Sequence, residues 1–177
     1  MAAKAIAIPQ VSALDADWHD LLSLMVSAAL PLALFILANG AAHLAGTQAL
    51  FFAPFGMPSW LGAVLHLGAL PLFGAARWVV AGKGRAGRNA AWWVSGLMAG
   101  TIAFPFLVAP LDSLTLSAIA MALLIVGLAS IARVARVSAL AALLMAPGLL
   151  WMGFSALIGL SFAGGWSPPF GLTNGQN

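Results

Sequence analysis

Five stretches of this sequence run for about 20 residues each with almost no charge, separated by short breaks rich in Gly, Pro or Arg. An α-helix rises about 1.5 Å per residue, so such a stretch matches the ~30 Å thickness of a bilayer's hydrocarbon. The windows are 21–43, 58–81, 90–108, 111–133 and 138–163. Over the 177 residues 63% are hydrophobic and 6% are charged, too little charge to coat a water-soluble domain of this length. The expected fold is therefore an all-α membrane protein, a five-transmembrane-helix bundle over 21–163. An N-terminal cytoplasmic or interfacial segment (1–20) precedes it and an irregular tail (164–177) follows it.

The breaks have chemical causes. Gly46, Pro54, Gly56 and Pro58 mark the first connection, because proline removes a backbone donor and restricts the residue before it. Residues 82–88, Gly-Lys-Gly-Arg-Ala-Gly-Arg, read as a polar turn. Pro105, Pro110 and Asp112 bound the third connection, with Asp112 placed to cap the fourth helix, and Arg133 and Arg136 mark the fourth. Pro31, Pro71 and Pro147 lie inside windows, where each frees a carbonyl that a neighbouring helix or a water has to satisfy.

Alternating five spans gathers Lys4, Arg77, Lys83, Arg85, Arg88, Arg133 and Arg136 on one side and leaves the other side without Lys or Arg. The positive-inside rule makes the basic side cytoplasmic, with the N-terminus in and the C-terminus out. Asp15, Asp17 and Asp20 precede the first window where a cleaved leader would carry basic residues, so the first helix is expected to be retained. Apolar helices of this kind point to a bacterial cytoplasmic membrane, since outer-membrane proteins are typically barrels.

Several functions are disfavoured. There is no Cys, which excludes thiolate metal sites and thiol catalysis. Seven Lys and Arg against four acidic residues are too few for a nucleic-acid footprint. No Ser/His/Asp set, no paired carboxylates within a span and no phosphate loop ending in Lys-Ser/Thr is present, so no enzyme is expected. Asp15, Asp17, His19 and Asp20 cluster before the first span but lack a second element to form a metal site. Trp92 and Trp93, after the basic turn, read as interfacial anchors, and Lys83, Arg85 and Arg88 as a topology signal within reach of anionic lipid.

Residues 53–80 read APFGMPSWLGAVLHLGALPLFGAARWVV, and 136–162 read RVSALAALLMAPGLLWMGFSALIGLSF. Over about 38–163 the chain resembles the TspO/MBR family, the tryptophan-rich sensory proteins related to the mitochondrial translocator (peripheral benzodiazepine receptor) protein. Pro58 and Trp60 fall on the later Pro and Trp of that family's Lys-Pro-x-Trp-x-Pro-Pro-x-Trp loop, and Gly74 and Trp78 on the Gly and Trp near the end of its second helix. Pro105 falls on the proline of Asn-x-x-Trp-x-Pro in the third helix. Pro147, Trp151, Phe154 and Ser155 fall on Pro-x-x-x-Trp-x-x-Phe-Ala in the fifth. The departures are Phe55 for the first loop Trp, His66 for a Trp, Leu70 for a Tyr, and Gly100 and Gly159 for Asn. The resemblance implies a five-helix bundle around a cavity for a tetrapyrrole or sterol-like ligand, here less polar and less bulky than in the family.

The candidate ligand residues are Phe55, Trp60, His66, Trp151, Phe154 and Ser155. His66 falls about one and two-thirds turns beyond Trp60, below headgroup level, where an ionisable side chain faces protein or a cavity. It reads as a cavity wall, as an axial ligand to a haem-like iron, or as a neutral imidazole bonded to a backbone carbonyl such as one freed by Pro71. The rings of Trp60, Trp151, Phe154 and Phe55 suit stacking on a flat apolar ligand. Trp60 alone also suits an interfacial belt, and Trp151 with Phe154 ordinary packing. Gly96 and Gly100 form a GxxxG that fits either a homodimer or a helix contact within one subunit.

Two functional expectations follow. One is a TspO-like protein that holds a hydrophobic planar molecule, such as a porphyrin or haem, another pigment or a lipid, and acts as sensor or carrier. The other is an accessory structural subunit of a larger photosynthetic or respiratory membrane complex, with Gly100 and Gly159 trading polarity for close packing. A small transporter is the weakest reading, because no charged relay lies deep in the spans.

Overall fold

The computed structural model describes residues 18–166. Within them lie five helices: α1 (Trp18–Leu44), α2 (Ser59–Ala81), α3 (Gly84–Leu107), α4 (Ser113–Ala135) and α5 (Ala139–Trp166). All five are long and apolar enough to cross a membrane, and the chain is a multi-pass membrane protein. Lys4, Asp15, Asp17 and most of the expected C-terminal tail lie outside the described residues.

α1 starts three residues before its window, at Trp18, and α5 ends three beyond its own, at Trp166, so residues 18–20 and 164–166 expected outside the spans are helical. Two further differences have local physical reasons. The basic stretch 82–88 is not a free turn: only Gly82 and Lys83 link α2 to α3, and Gly84–Arg88 already form the first turn of α3. Continuing the helix bonds the Gly87 amide to the Lys83 carbonyl at 3.1 Å. Gly87 is needed there, since a Cβ would come within 2.1 Å of the Val80 carbonyl oxygen. Pro105 is likewise not a connector. It sits inside α3, two residues before its end.

Asp112 caps α4 as its position predicts. Its Oδ1 accepts from the Leu114 and Thr115 amides at 3.0 Å each, and its Oδ2 accepts from the Thr115 hydroxyl at 2.6 Å. The Thr115 hydroxyl, then the Thr115 amide, hold this carboxyl below its usual range. A depressed folded-state pKa means the cap's contribution is present above the unfolded pKa and lost as pH falls through the folded one. Intrinsic amide exchange slows on acidification, so the protection factors of the Leu114 and Thr115 amides should fall as Asp112 is protonated. In Asp112→Asn, which keeps a capping oxygen without titrating, that fall should vanish.

α2 is the centre of the bundle and packs on α1, α3 and α5, while α4 closes the ring between α3 and α5. Lipid offers no hydrophobic drive for helices to associate, so close van der Waals packing has to do it. Glycine supplies the required holes. A Cβ on Gly100 would meet Leu123 at 2.5 Å (α3 on α4), on Gly127 Leu149 at 2.4 Å (α4 on α5), and on Gly148 the Phe73 ring at 2.6 Å (α5 on α2). Phe73, Val94, Leu97 and Met145 are fully buried in this interior.

α1 lies outside the ring and rests mainly on α2. Only Pro31 and Phe35 of this helix are buried, and Leu30, Leu34 and Leu37 are exposed, as suits side chains facing hydrocarbon. Its contact with α2 is a backbone one: a Cβ on Gly74 would fall 2.2 Å from the Ser27 carbonyl oxygen. Ser27 is four residues before Pro31, so its carbonyl is the one that proline leaves without a helical partner. The end shared by the α2–α3 and α4–α5 turns is pinned by polar side chains. Arg77 Nε donates to Ser95 Oγ at 2.8 Å, Trp78 Nε1 donates to Ser23 Oγ at 2.9 Å, and the Arg133 guanidinium lies 3.9 Å over the Trp93 ring.

Candidate functional site

At the opposite end, residues 45–58 fold back over the mouth of the bundle. Residues 47–54 carry no regular secondary structure, and the Leu50 amide bonds to the Pro105 carbonyl at 2.9 Å, tying this covering segment to the end of α3. The neighbouring rings of Phe51 and Phe52 wedge into different places. Phe51 meets the edge of His66 at 5.7 Å and Phe35 at 5.9 Å, whereas Phe52 meets Trp151 at 6.1 Å and Phe154 at 6.2 Å.

Beneath these two rings lies a cavity of about 40 Å³ between α2, α3, α4 and α5, with His66, Thr101, Trp151 and Ser155 in its wall. A groove of about 360 Å³ adjoins it, bounded by α3, α4, α5 and the covering segment, and lined by Phe104, Leu116, Gly159 and Phe162 among others. Phe51, Phe52, Phe104, Ala120 and Ser155 belong to both, so cavity and groove form one aromatic-walled crevice. The groove lies within the ~300–1,000 Å³ range of small-molecule sites; the cavity alone holds little more than a water.

His66 anchors the wall. Its Nε2 lies 2.8 Å from the Thr101 carbonyl oxygen. Thr101 is four residues before Pro105, so this carbonyl has lost its helical N–H donor to the proline. The bond to a proline-freed carbonyl is made, but the proline responsible is Pro105 on the neighbouring helix rather than Pro71 on its own. Because a carbonyl only accepts, Nε2 carries the hydrogen and the tautomer is fixed. Haem ligation does not fit this arrangement. Nε2 is committed to Thr101, and 40 Å³ admits no macrocycle beside the ring. The wall's hydroxyls are also committed, Thr101 Oγ1 donating to the Leu97 carbonyl and Ser155 Oγ to the Trp151 carbonyl, both at 2.8 Å.

Of the residues expected at the site, His66, Trp151 and Ser155 line the cavity. Phe154 stands behind it, with its ring 5.7 Å from Trp151. Trp60 and Phe55 do not join them; both are exposed, at 64% and 76%. Trp60, at the start of α2, is placed as an interfacial belt residue would be. Phe55 occupies the left-handed region (φ 58°) before Gly56 (φ 75°) in a turn closed by the Met57 amide on the Pro54 carbonyl at 3.0 Å. A bulky side chain there is strained by about 1–2 kcal/mol, and its ring reaches Phe162 at the groove (6.5 Å). Gly100 makes an intrasubunit contact with Leu123, while a Cβ on Gly96 would meet open space. Sequence reasoning misses Phe51, Phe52, Phe104, Thr101 and Pro105 as site residues. The proline rule, applied to Pro105 as to Pro31, Pro71 and Pro147, leads directly to Thr101.

Fold and crevice together define a multi-pass membrane protein with an apolar, aromatic-walled recess under a covering segment. No family model, no curated protein and no solved structure matches the chain.

Proposed function

We propose that this chain is a TspO-like membrane protein that takes a flat, mostly apolar molecule into the crevice between α3, α4, α5 and the covering segment, as a sensor or carrier. The observation that carries this reading is the 360 Å³ groove running into the His66 cavity between aromatic walls. Its size favours a compact ring system or part of a lipid over a full tetrapyrrole, which would require residues 45–58 to move aside. We place the basic end in the cytoplasm and the crevice end outside, in a bacterial cytoplasmic membrane, because Lys83, Arg85, Arg88 and Arg136 all fall at the ends of α2–α5 away from the crevice.

The test is titration of detergent-purified protein with 2-naphthol and, separately, protoporphyrin, each corrected for uptake by empty micelles. Saturable binding of 2-naphthol is expected, weakened about 3–10-fold by Trp151→Ala through loss of ring contact. Absence of saturable binding for both probes overturns the reading.

A further inference from the structure

We propose that the crevice selects apolar molecules bearing a hydroxyl group, and that the acceptor reading this hydroxyl is Nδ1 of His66. This rests on the crevice being a ligand site, as proposed above, and adds the chemistry of what it chooses.

The inference starts from the bond to Thr101. Nε2 is held as the donor by a carbonyl that Pro105 has vacated, which leaves Nδ1 of the neutral ring with a lone pair and no hydrogen. No hydrogen bond to Nδ1 is made within the described residues. No buried side-chain N or O among them lacks a partner, so Nδ1 is not sealed in the packing but open to space, and His66 lines the cavity. The neighbouring hydroxyls offer it nothing, because Thr101 and Ser155 each spend their hydrogen on a carbonyl of their own helix. A donor for Nδ1 has to come from what enters. Before a ligand arrives, 40 Å³ gives room for one water to fill that role.

A ligand hydroxyl can replace that water while its ring system lies in the groove, since the two spaces share the Phe52 and Phe104 walls. The Trp151 indole N–H, the cavity-wall side-chain donor not already given to a carbonyl, serves an alcohol, an ether or a ketone equally well. The Thr101 and Ser155 oxygens keep lone pairs, but Nδ1 is the acceptor of the wall with no hydrogen of its own, and the discrimination is assigned to it. A ketone or ether oxygen facing Nδ1 sets two acceptors against each other, whereas a hydroxyl donates.

The pair 2-naphthol and 2-methoxynaphthalene differs in this one hydrogen. The ratio of their dissociation constants, ether over alcohol, is measured in wild type and in His66→Phe, so that unequal uptake by detergent cancels. The ratio should fall about 3–10-fold on substitution, the net worth of a neutral hydrogen bond. Because His66→Phe also unsettles α3, a second reading is taken on wild-type protein labelled with ¹⁵N-histidine. The Nδ1 resonance of His66 should move upfield on saturation with 2-naphthol and should not move upfield with 2-methoxynaphthalene. Saturable binding of both probes with an unchanged ratio and an unmoved Nδ1 signal overturns the hydroxyl selection while leaving the crevice a ligand site. Binding of neither removes both.

Discussion

Replacing His66 by Phe should destabilise the protein by about 1–3 kcal/mol, the usual cost of a buried polar group that loses its partner. The same replacement in a Pro105→Ala background should cost markedly less. The reason is the Thr101 carbonyl, which in the native protein has its helical donor removed by Pro105 and regains one from His66 Nε2 at 2.8 Å. The Pro105→Ala substitution would return a backbone N–H to that carbonyl and make the imidazole dispensable for stability. A double-mutant cycle in mixed micelles, with SDS unfolding followed by circular dichroism, should show coupling of about 0.5–3 kcal/mol between two residues on different helices. Additive effects would mean that His66 and Pro105 are not joined through Thr101. His66→Gln should recover part of the loss, because a Gln amide also donates.

Gly74→Ala should be as damaging, by another route. The added methyl would sit 2.2 Å from the Ser27 carbonyl oxygen, and both atoms belong to rigid helix segments with no flexible side-chain end to yield. α1 would have to move away from α2, its main contact. Overpacking of this kind costs about 1–3 kcal/mol. The loss should be confined to α1, seen as faster amide exchange from Trp18 to Leu44 with the α2–α5 core still protected. Gly68→Ala on the same helix, where a Cβ would meet nothing within 4 Å, is the matched control and should be near neutral.

The spans are legible in the sequence because the length of an apolar run is itself the structural signal in a bilayer. The five windows match all five helices; α3 starts early where polar residues continue a helix beyond the hydrocarbon, as Gly84 to Arg88 do, and α5 runs on through Gly164 to Trp166. The Asp112 cap is legible because capping is local. His66 is half legible: depth alone argues that it must face a partner, but naming the carbonyl requires knowing that α3 lies beside α2.

Phe51 and Phe52 are not legible. Two adjacent phenylalanines in a connection carry no periodicity, and only the fold-back of residues 45–58, tied by Leu50 to Pro105, makes them walls. Trp60 and Phe55 show the converse. Aromatic type and position in a motif suggest stacking, but the start of α2 leaves Trp60 exposed, and the strained turn leaves Phe55 exposed outside the cavity wall, with its ring reaching Phe162 at the groove. Spacing offers the glycines one interface, and they serve several. Gly100 takes Leu123 of its own chain, a pairing that sequence cannot separate from a contact between subunits.

Pro105 has two neighbours that matter, one on the helix wall of the cavity and one in the covering segment. Its missing hydrogen hands Thr101 to His66 in the floor, and its own oxygen holds Leu50 in the cover. Any tilt of the last turn of α3 is therefore felt at both surfaces at once. The imidazole and the covering segment are thus hinged to the same turn of α3, and neither can shift without loading the other's anchor.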